Sequence, residues 1–555
     1  MKELWNRLYG DASDCSYNEM IGLLWLYSEY NRNNPYKKPK YWYREAVVYA
    51  LYVDLFAGDF KTLISKLPYL QKLGVNCLWL LPVLDSPMKD AGFDVRNYNA
   101  IRGDLLTAPE NQNEFDDFLD AAHSSGINVI FDIAINHTSN THPWFQDALS
   151  STQSRYHDYY IWNKDTELYK ECRLIFEGMC PCNWEKAGEE YYFHRFFEFQ
   201  PDLNYKNPRV FIEMVKIFLF WLKKGVDGFR LDAIPYLWKT EGTDCENLPE
   251  THLIIKLFRA IIDMVAPETL LLAEACQPPK EVVKYMGDGD ECHAGYHFPL
   301  MPQIFKAIAM QSSEPVINVL KPENTPALPE SCQWFLFLRL HDELSLEKVY
   351  VNEDDREFLH KFYCKKNEWD FRLGQGISAR LSELMDHDPN KVLLLYSIMF
   401  SLQGTPLIYY GDEFGKSNDL AYYLKKKTET GYADSRNMVR GYVEWEKTLT
   451  EIAREGSIEN VLFHGISNML SVRQKIGIFG TASIEMLNFE CKILSYWRTI
   501  GNNKILIINN ISGNDVKVEL PLRVNSKYDL LGNTLAISKK TLLMKPHSYH
   551  WIAVE

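Results

Sequence analysis

Apolar runs of strand length alternate with amphipathic runs of helix length from residue 46 onward. Helices are predicted, for example, at Phe60–Leu73, Pro208–Lys224 and Pro249–Val265. Strands that alternate with helices favour a parallel sheet, and eight such strands favour a closed α/β barrel, the (β/α)8 TIM barrel. The eight predicted strands span residues 46–56, 75–82, 127–136, 226–233, 269–275, 291–298, 332–341 and 405–410.

Three further segments are predicted around this barrel, which takes residues 45–137 and 207–476. Residues 138–206, after the third strand, are rich in aromatic, polar and turn residues and form an inserted loop domain. Residues 1–44 form an N-terminal helical extension that ends in a Pro/Lys-rich link at 34–40. Residues 477–555 contain short strands with turn signals, which indicate a C-terminal antiparallel β-sandwich domain.

The charge pattern excludes several classes of partner. The 555-residue chain has a net charge of −14 and no run of lysines and arginines, which argues against nucleic acid and against anionic membranes as partners. The first residues do not resemble a signal peptide, and the apolar run Met20–Tyr27 is too short to span a bilayer. Because the 11 cysteines are scattered, we expect reduced thiols and a cytoplasmic location. The sequence does not specify an oligomeric state.

The Cys180-Pro181-Cys182 segment, with Cys172 nearby, is a candidate metal site. Its spacing is not that of a zinc knuckle and no nearby histidine pairs with it, so we expect no metal there.

Arg230 and Asp232 lie two residues apart in the fourth predicted strand, so both side chains project from one face of it. They fall at its C-terminal end, where barrel enzymes place their chemistry. The guanidinium is expected to keep Asp232 ionised, as a nucleophile requires. An ordinary structural ion pair is the alternative interpretation of these two residues alone.

Polar side chains also follow three other predicted strands, at Asp132–His137, Glu274 and His341–Asp342. Each has a structural alternative, such as a cap or a solvated carboxylate, but four such groups at one barrel face predict a site. Two carboxylates are what glycoside hydrolysis needs: Asp232 as the nucleophile and Glu274 as the acid/base, about 5–5.5 Å apart if configuration is retained. Asp342 is expected to stabilise the transition state, while His137 and His341 bind sugar hydroxyls.

These four segments resemble the motif regions of the α-amylase superfamily of retaining glycoside hydrolases, from about Trp42 to the C-terminus. The resemblance implies an inserted domain after strand three and a C-terminal antiparallel β domain. It also implies substrate-binding roles for Arg230 and for Arg440, the first residue of a segment that ends at Trp445. The other implied substrate-binding residues are Asp94 and Tyr98, near a Gly-Phe-Asp segment, and Phe196, near the Gln200–Asn204 marker of the α-glucosidase-like branch.

A narrower resemblance is to the trehalose synthase branch of this superfamily, which interconverts maltose and trehalose. It is carried by the segments 232–237, 241–252, 289–293, 297–302 and 341–347. The branch isomerises its substrate by keeping the released glucose in a closed pocket, which requires that water be excluded. Tyr236, Glu343 and residues 241–252, which we call the 241–252 loop, are the candidates for the lid. The alternative is that they only pack the barrel rim.

Calcium is the one metal that the resemblance raises. Asn136 and Asp202 would be ligands only if calcium is bound, but Lys239 stands where the family has a glutamate. An ammonium group there opposes a dication and can replace its charge. The family's calcium loop after strand one is missing, so we expect neither a metal nor a cofactor.

Three hypotheses remain open from the sequence. The first is an isomerase acting on a small α-glucoside such as maltose or trehalose. The second is a hydrolytic α-glucosidase or α-amylase on short α-1,4-glucosides, since Leu340 replaces the asparagine that the family has before its His-Asp pair. The third is a non-catalytic sugar-binding scaffold, which the presence of Asp232, Glu274 and Asp342 disfavours.

Overall fold

Eight parallel strands close into a barrel, as the alternation of strands and helices predicts. The computed structural model describes residues 1–33, 38–477, 479–501 and 503–554. Each strand pairs with the next one along the chain, and the eighth pairs with the first. The strands are β1 (Val48–Leu51), β2 (Cys77–Leu80), β3 (Asn128–Ala134), β4 (Gly228–Asp232), β5 (Leu270–Ala273), β6 (Ala294–Tyr296), β7 (Gln333–Phe337) and β8 (Thr405–Tyr409).

The barrel strands are buried on both faces because side chains fill the interior and helices cover the outside. All the residues of β2, β5 and β7 are buried. The helix Pro208–Lys224 shows how the sequence fixes one covering element. Asn207 accepts a hydrogen bond from the amide of Arg209 at the start, and Gly225 ends the helix with φ of 101°.

The α-helices follow the predicted order, and three of them have the predicted bounds. They are Lys2–Tyr9, Asp14–Asn33, Val53–Phe56, Phe60–Leu73, Asn113–Ser124, Pro143–Ser150, Pro208–Lys224, Pro249–Val265, Pro279–Val282, Leu300–Met310, Glu314–Val319, Glu353–Tyr363, Leu381–Leu384, Pro389–Ser401, Leu420–Thr430, Trp445–Ala453 and Ile458–Ile476. No helix in the described part of the chain is both long enough and apolar enough to cross a bilayer.

The largest errors in the predicted strand ends are those of the first and seventh strands, which are predicted to end at 56 and 341 and end at Leu51 and Phe337. Val53–Phe56 is a helical turn, because the amide of Phe56 bonds back to the carbonyl of Tyr52. The seventh strand ends at Phe337, so residues 338–341 belong to the loop that carries His341. At both places the chain leaves the barrel and the sheet pairing stops.

The remaining strands lie outside the barrel. In the inserted region, Glu190–Phe193 pairs with Trp162–Asn163 and with Trp184–Ala187. Short antiparallel pairs also join Leu84–Asp85 to Asn97–Ile101, and Gly376–Ile377 to both Leu344–Ser345 and Asp370–Phe371. The C-terminal part has two antiparallel sheets, one of Ser483–Leu487, Ile493–Ile500, Asn503–Asn510 and Tyr549–Val554, the other of Val516–Glu519, Ile537–Ser538 and Thr541–Met544.

The N-terminal helices pack against the barrel. The helix Lys2–Tyr9 contacts Pro249–Val265, and Asp14–Asn33 contacts Pro208–Lys224. Trp5 is fully buried, with its ring centroid 6.0 Å from that of Phe211. Residues 34–37 of the predicted link lie outside the described residues, and the domain boundaries stay predictions.

Candidate active site

A cavity lies at the C-terminal ends of the barrel strands, where the sequence places the polar groups. The barrel contributes Arg230, Glu274 and Asp342 to its lining. The inserted region closes it from the side. The other side chains that line the cavity include Arg173, Phe176, Phe196, Tyr236, Tyr296, Leu340, His341, Glu343, Glu347 and Arg436.

Arg230 lies among three carboxylates at this end of the barrel. It is 3% exposed, and its Nη1 donates to Asp132 Oδ1 at 2.7 Å and to Asp232 Oδ1 at 2.6 Å. Its Nη2 lies 3.8 Å from Glu274 Oε1. The Asp232 side chain is partly exposed and is bonded to Arg230, which lines the cavity. One guanidinium therefore serves three carboxylates.

Burial has the largest effect on the pKa of Glu274. Burial raises the pKa of Glu274 to about 7, with Arg230 opposing the shift and Asp232 adding to it. Glu274 also accepts a hydrogen bond from the amide of Ala233 at 2.9 Å, which ties it to the residue after Asp232. A carboxyl that titrates near neutrality suits a group that both donates and accepts a proton.

Arg230 is not the only influence on the pKa of Asp232. Burial raises this pKa above its ordinary value, although the guanidinium opposes the shift. The direct bond from Arg230 reaches Asp232 and not Glu274. Of the two carboxyl groups, Asp232 is therefore the one whose ionised form the guanidinium favours more.

Asp342 lies in a different environment. His341 Nε2 is 3.0 Å from its Oδ2, and Arg436 Nη1 and Arg440 Nη2 lie 3.2 and 3.5 Å from its Oδ1. Burial opposes ionisation of Asp342, but these partners outweigh it and lower its pKa well below the ordinary value. Asp342 is therefore a permanent anion, suited to a cation-like transition state and not to proton transfer.

The structure adds three site residues that the sequence interpretation missed. Arg436 bridges Asp342 to Asp90, whose Oδ1 lies 3.2 Å from its Nη2. Phe93 stacks on His341 with ring centroids 5.6 Å apart and lies 5.5 Å from the Arg230 guanidinium. The available signal was the Gly-Phe-Asp segment itself, which contains Phe93 and begins two residues after Asp90.

Asp94 and Tyr98, which the resemblance assigns to substrate binding, are both buried beside the site. Asp94 is fully buried and accepts hydrogen bonds from the Ser86 hydroxyl and from the amides of residues 89 and 90. The Tyr98 hydroxyl lies 2.7 Å from the carbonyl of Ala134 and 2.9 Å from that of His137. Their hydrogen bonds hold the loops that carry Asp90 and His137.

His137 lies behind the cavity, next to a lining ring. Its Nε2 is 3.1 Å from Gln200 Nε2, and its ring centroid is 5.2 Å from that of Phe196. Burial lowers the pKa of His137, so it is a neutral ring. Gln200 also donates to Asp90 at 3.1 Å, which links the marker segment at 200–204 to the site.

The predicted lid residues meet the inserted region at the cavity edge. Tyr236 packs edge-on against Phe196 at 5.6 Å. In the 241–252 loop, Glu246 accepts from Arg173 Nε at 2.8 Å, and also from Arg195. Burial and the charge of Asp342 raise the pKa of Glu343 to about 7. Arg173 and Glu246 thus join the inserted region to the barrel beside the cavity.

Lys239 occupies the position that the resemblance associates with calcium. Its Nζ lies 3.0 Å from Asn136 Oδ1 and 2.7 Å from Asp202 Oδ2. The Asn136 amide donates to the same carboxylate at 3.0 Å. Within the described ranges, no cluster of three or more His, Cys, Asp and Glu side chains is arranged to hold a metal ion. The donor set does not fit a dication, because the ammonium group already fills it.

Comparison with protein families gives one match that spans most of the chain. The model of the α-amylase catalytic domain matches residues 28–455. A trehalose synthase of Pimelobacter sp. (strain R48) is 39% identical over 533 residues, which cover 88% of this chain and 90% of that protein. A trehalose synthase/amylase of Mycobacterium tuberculosis (strain CDC 1551 / Oshkosh) is 36% identical over 554 residues, covering 92% and 90%.

Solved structures share the fold at lower identity. An α-glucosyl transfer enzyme superposes with a TM-score of 0.73 at 21% identity, covering 93% of this chain and 100% of that one. An isomaltulose synthase from Klebsiella sp. superposes with a TM-score of 0.71, also at 21% identity, with coverages of 93% and 100%.

Proposed function

The chain belongs to the α-amylase family of enzymes, and from that premise we propose that it isomerises maltose and trehalose through a glucosyl-aspartate intermediate. The observation that carries this proposal is the placement of Glu274, with its pKa near 7, against the amide that follows Asp232. The trehalose synthase relatives at 36–39% identity favour this pair of substrates.

The first half of the reaction breaks the glycosidic bond. The Asp232 carboxylate attacks the anomeric carbon, while Glu274 gives its proton to the departing glycosidic oxygen. The C–O bond to the leaving glucose breaks as the bond to Asp232 forms. Asp342, held as an anion by Arg436 and Arg440, stabilises the positive charge that develops on the ring.

The second half returns the glucose through a different hydroxyl. Glu274, now ionised, takes the proton of the anomeric hydroxyl of the retained glucose, and that oxygen displaces Asp232. The products are trehalose and the enzyme in its starting protonation state. Retention requires the Asp232 and Glu274 carboxyl groups to lie about 5–5.5 Å apart across the substrate.

Isomerisation rather than hydrolysis depends on keeping water away from the intermediate. Tyr236 and Phe196 supply apolar ring surface at the cavity, and the Arg173–Glu246 pair ties the inserted region to the 241–252 loop. These contacts support the proposed role of the loop as a lid. The cysteines, all among the described residues and all unpaired, support the proposed cytoplasmic location.

A hydrolase acting on short α-1,4-glucosides is the second candidate. It is favoured by the Mycobacterium tuberculosis relative, whose name includes amylase. Leu340 also lines the cavity where the family has an asparagine, so the contacts around Asp342 differ from the usual ones. In this case water would displace Asp232 before the glucose returns.

The test is a product analysis with maltose in the presence of free ¹³C-glucose. The isomerase produces trehalose without the label, because the glucose never leaves the cavity. Mostly free glucose would instead establish the hydrolase, and labelled trehalose would show that the glucose exchanges. Glu274→Gln is the matched control, since it keeps the shape of the side chain and removes its proton transfer.

A further inference from the structure

Two cysteines that are far apart in the sequence meet behind the lid. Cys172 belongs to the inserted region and Cys245 to the 241–252 loop. Both belong to one small buried cluster with Tyr169, Trp184 and Phe193. The two cysteines therefore pack in one cluster across the boundary between the inserted region and the barrel.

Each cysteine directly precedes one member of the ion pair at the cavity edge. Arg173 follows Cys172, Glu246 follows Cys245, and Arg173 Nε donates to Glu246 Oε1 at 2.8 Å. Arg173 lines the cavity, and Glu246 is further fixed by Gln277 Nε2 at 3.2 Å. A covalent link between the two cysteines would thus fasten the same two segments that this ion pair joins reversibly.

We propose that Cys172 and Cys245 form a redox modification site, at which a reversible disulfide locks the 241–252 loop onto the inserted region and slows opening of the cavity. The proposed site lies outside the catalytic groups. Only its effect on turnover rests on the proposed function, because formation of the disulfide depends on the cysteines alone.

The surroundings make Cys245 the attacking sulfur. The neighbouring Cys172 side chain lowers the pKa of Cys245 to about 6, against the effect of burial, and the Thr243 hydroxyl, 3.7 Å away, adds to this. A thiolate is the nucleophilic form of cysteine. Cys245 also adopts a left-handed backbone with φ of 56°, a conformation that non-glycine residues hold only under constraint.

The oxidant is a peroxide, small enough to reach a buried pair. The Cys245 thiolate attacks one peroxide oxygen, the O–O bond breaks, and the released hydroxide takes up a proton to become water. Cys245 is then a sulfenic acid. Cys172 attacks its sulfur, an S–S bond forms, the S–O bond breaks, and a second water leaves with the Cys172 proton. Two thiols and one hydrogen peroxide give one disulfide and two waters.

Two neighbouring cysteines are alternative partners for such a disulfide, but their thiols contact backbone carbonyl oxygens. The Cys182 thiol lies 3.0 Å from the carbonyl oxygen of Trp184, and the Cys180 thiol lies 3.7 Å from that of Phe196. Cys182 packs against the same cluster, so a pairing of Cys182 with Cys245 is the alternative that an experiment has to distinguish.

Trypsin separates these alternatives. Cleavage after Lys170 and Arg173 isolates Cys172 in residues 171–173, cleavage after Lys239 and Lys256 isolates Cys245 in residues 240–256, and Cys180 and Cys182 share residues 174–186. The full-length protein is treated with hydrogen peroxide, alkylated and digested. We expect 171–173 linked to 240–256, and the link should disappear with dithiothreitol. Peptide 174–186 linked to 240–256, or no link at all, would overturn the site.

Activity measurements then test whether the disulfide slows turnover. We expect peroxide to lower turnover of maltose several-fold and dithiothreitol to restore it. Cys172→Ala should remove the response to peroxide, whereas the matched control Cys180→Ala should keep it. A mapped disulfide with unchanged turnover would overturn the lock. If the reduced protein does not convert maltose, the proposed function fails, while the peptide map still decides the disulfide.

Discussion

Two buried charge clusters at the same end of the barrel differ in how their charges balance. Around Arg230, one guanidinium faces the carboxylates of Asp132, Asp232 and Glu274. Around Lys239, one ammonium faces the single carboxylate of Asp202 and the neutral amide of Asn136. The Arg230 cluster therefore has more acid groups than cations, whereas the Lys239 cluster has one of each.

The excess has a direct consequence for proton chemistry. Burial raises the pKa of both Asp132 and Glu274 to about 7, because a single guanidinium cannot compensate three desolvated carboxyl groups. Carboxyl groups that titrate near neutrality can transfer protons under physiological conditions. A balanced pair such as Lys239 and Asp202 instead holds two loops together.

The largest effect is expected at the nucleophile. Asp232→Ala removes the group that forms the covalent intermediate, and we expect maltose turnover to fall by at least about 10⁴-fold. Steady-state product formation measures the loss. Circular dichroism and the melting temperature serve as controls, because the loss must occur in a folded protein. Substantial residual turnover would remove Asp232 from its role.

The next effect is on stability at the Lys239 cluster. Lys239→Met keeps an unbranched side chain but leaves the Asp202 carboxylate buried without its cation, which costs about 3–5 kcal/mol. Urea unfolding measures the free energy of unfolding. The double variant Lys239→Met with Asp202→Asn should recover much of the loss, since it removes both charges. Equal losses in the single and double variants would show that the ion pair does not balance this cluster.

The fold could be predicted from the sequence because its signals are local. Phe60–Leu73 begins after the capping Asp59 and ends before Gly74, and Pro208–Lys224 has the same signals in Asn207 and Gly225. Strand ends were predicted less well. Apart from Asp54, Val53–Phe56 is as apolar as the strand before it, and the sheet pairing ends at Leu51.

The candidate site was predictable only in part because many of its contacts are long-range. Arg230 and Asp232 are two residues apart, so a strand period places them together. Arg436 and Asp90, by contrast, are 346 residues apart, and no local pattern links them. The position of Phe93 over His341 likewise depends on how two loops meet above the barrel.

A smaller effect is expected from neutralising Glu274. Because its folded-state pKa of about 7 exceeds the ordinary 4.5, the protonated form is favoured in the folded state and stability falls as pH rises between these values. Glu274→Gln avoids this loss, so it should stabilise the protein by roughly 2–3 kcal/mol at pH 8 and much less at pH 5. Melting temperatures at both pH values measure the difference. A gain that is equal at both would contradict the raised pKa.

The smallest effect, close to zero, is expected from chelation. Lys239 already neutralises Asp202, so EDTA should leave the melting temperature and turnover unchanged if no dication contributes. Lys239→Glu is the matched variant, because it replaces the ammonium with the acid that the family has at this position. In that variant, calcium should raise the melting temperature and EDTA should reverse the rise. A clear loss in the unsubstituted protein on chelation would show that a metal, and not Lys239, balances the charge of this cluster.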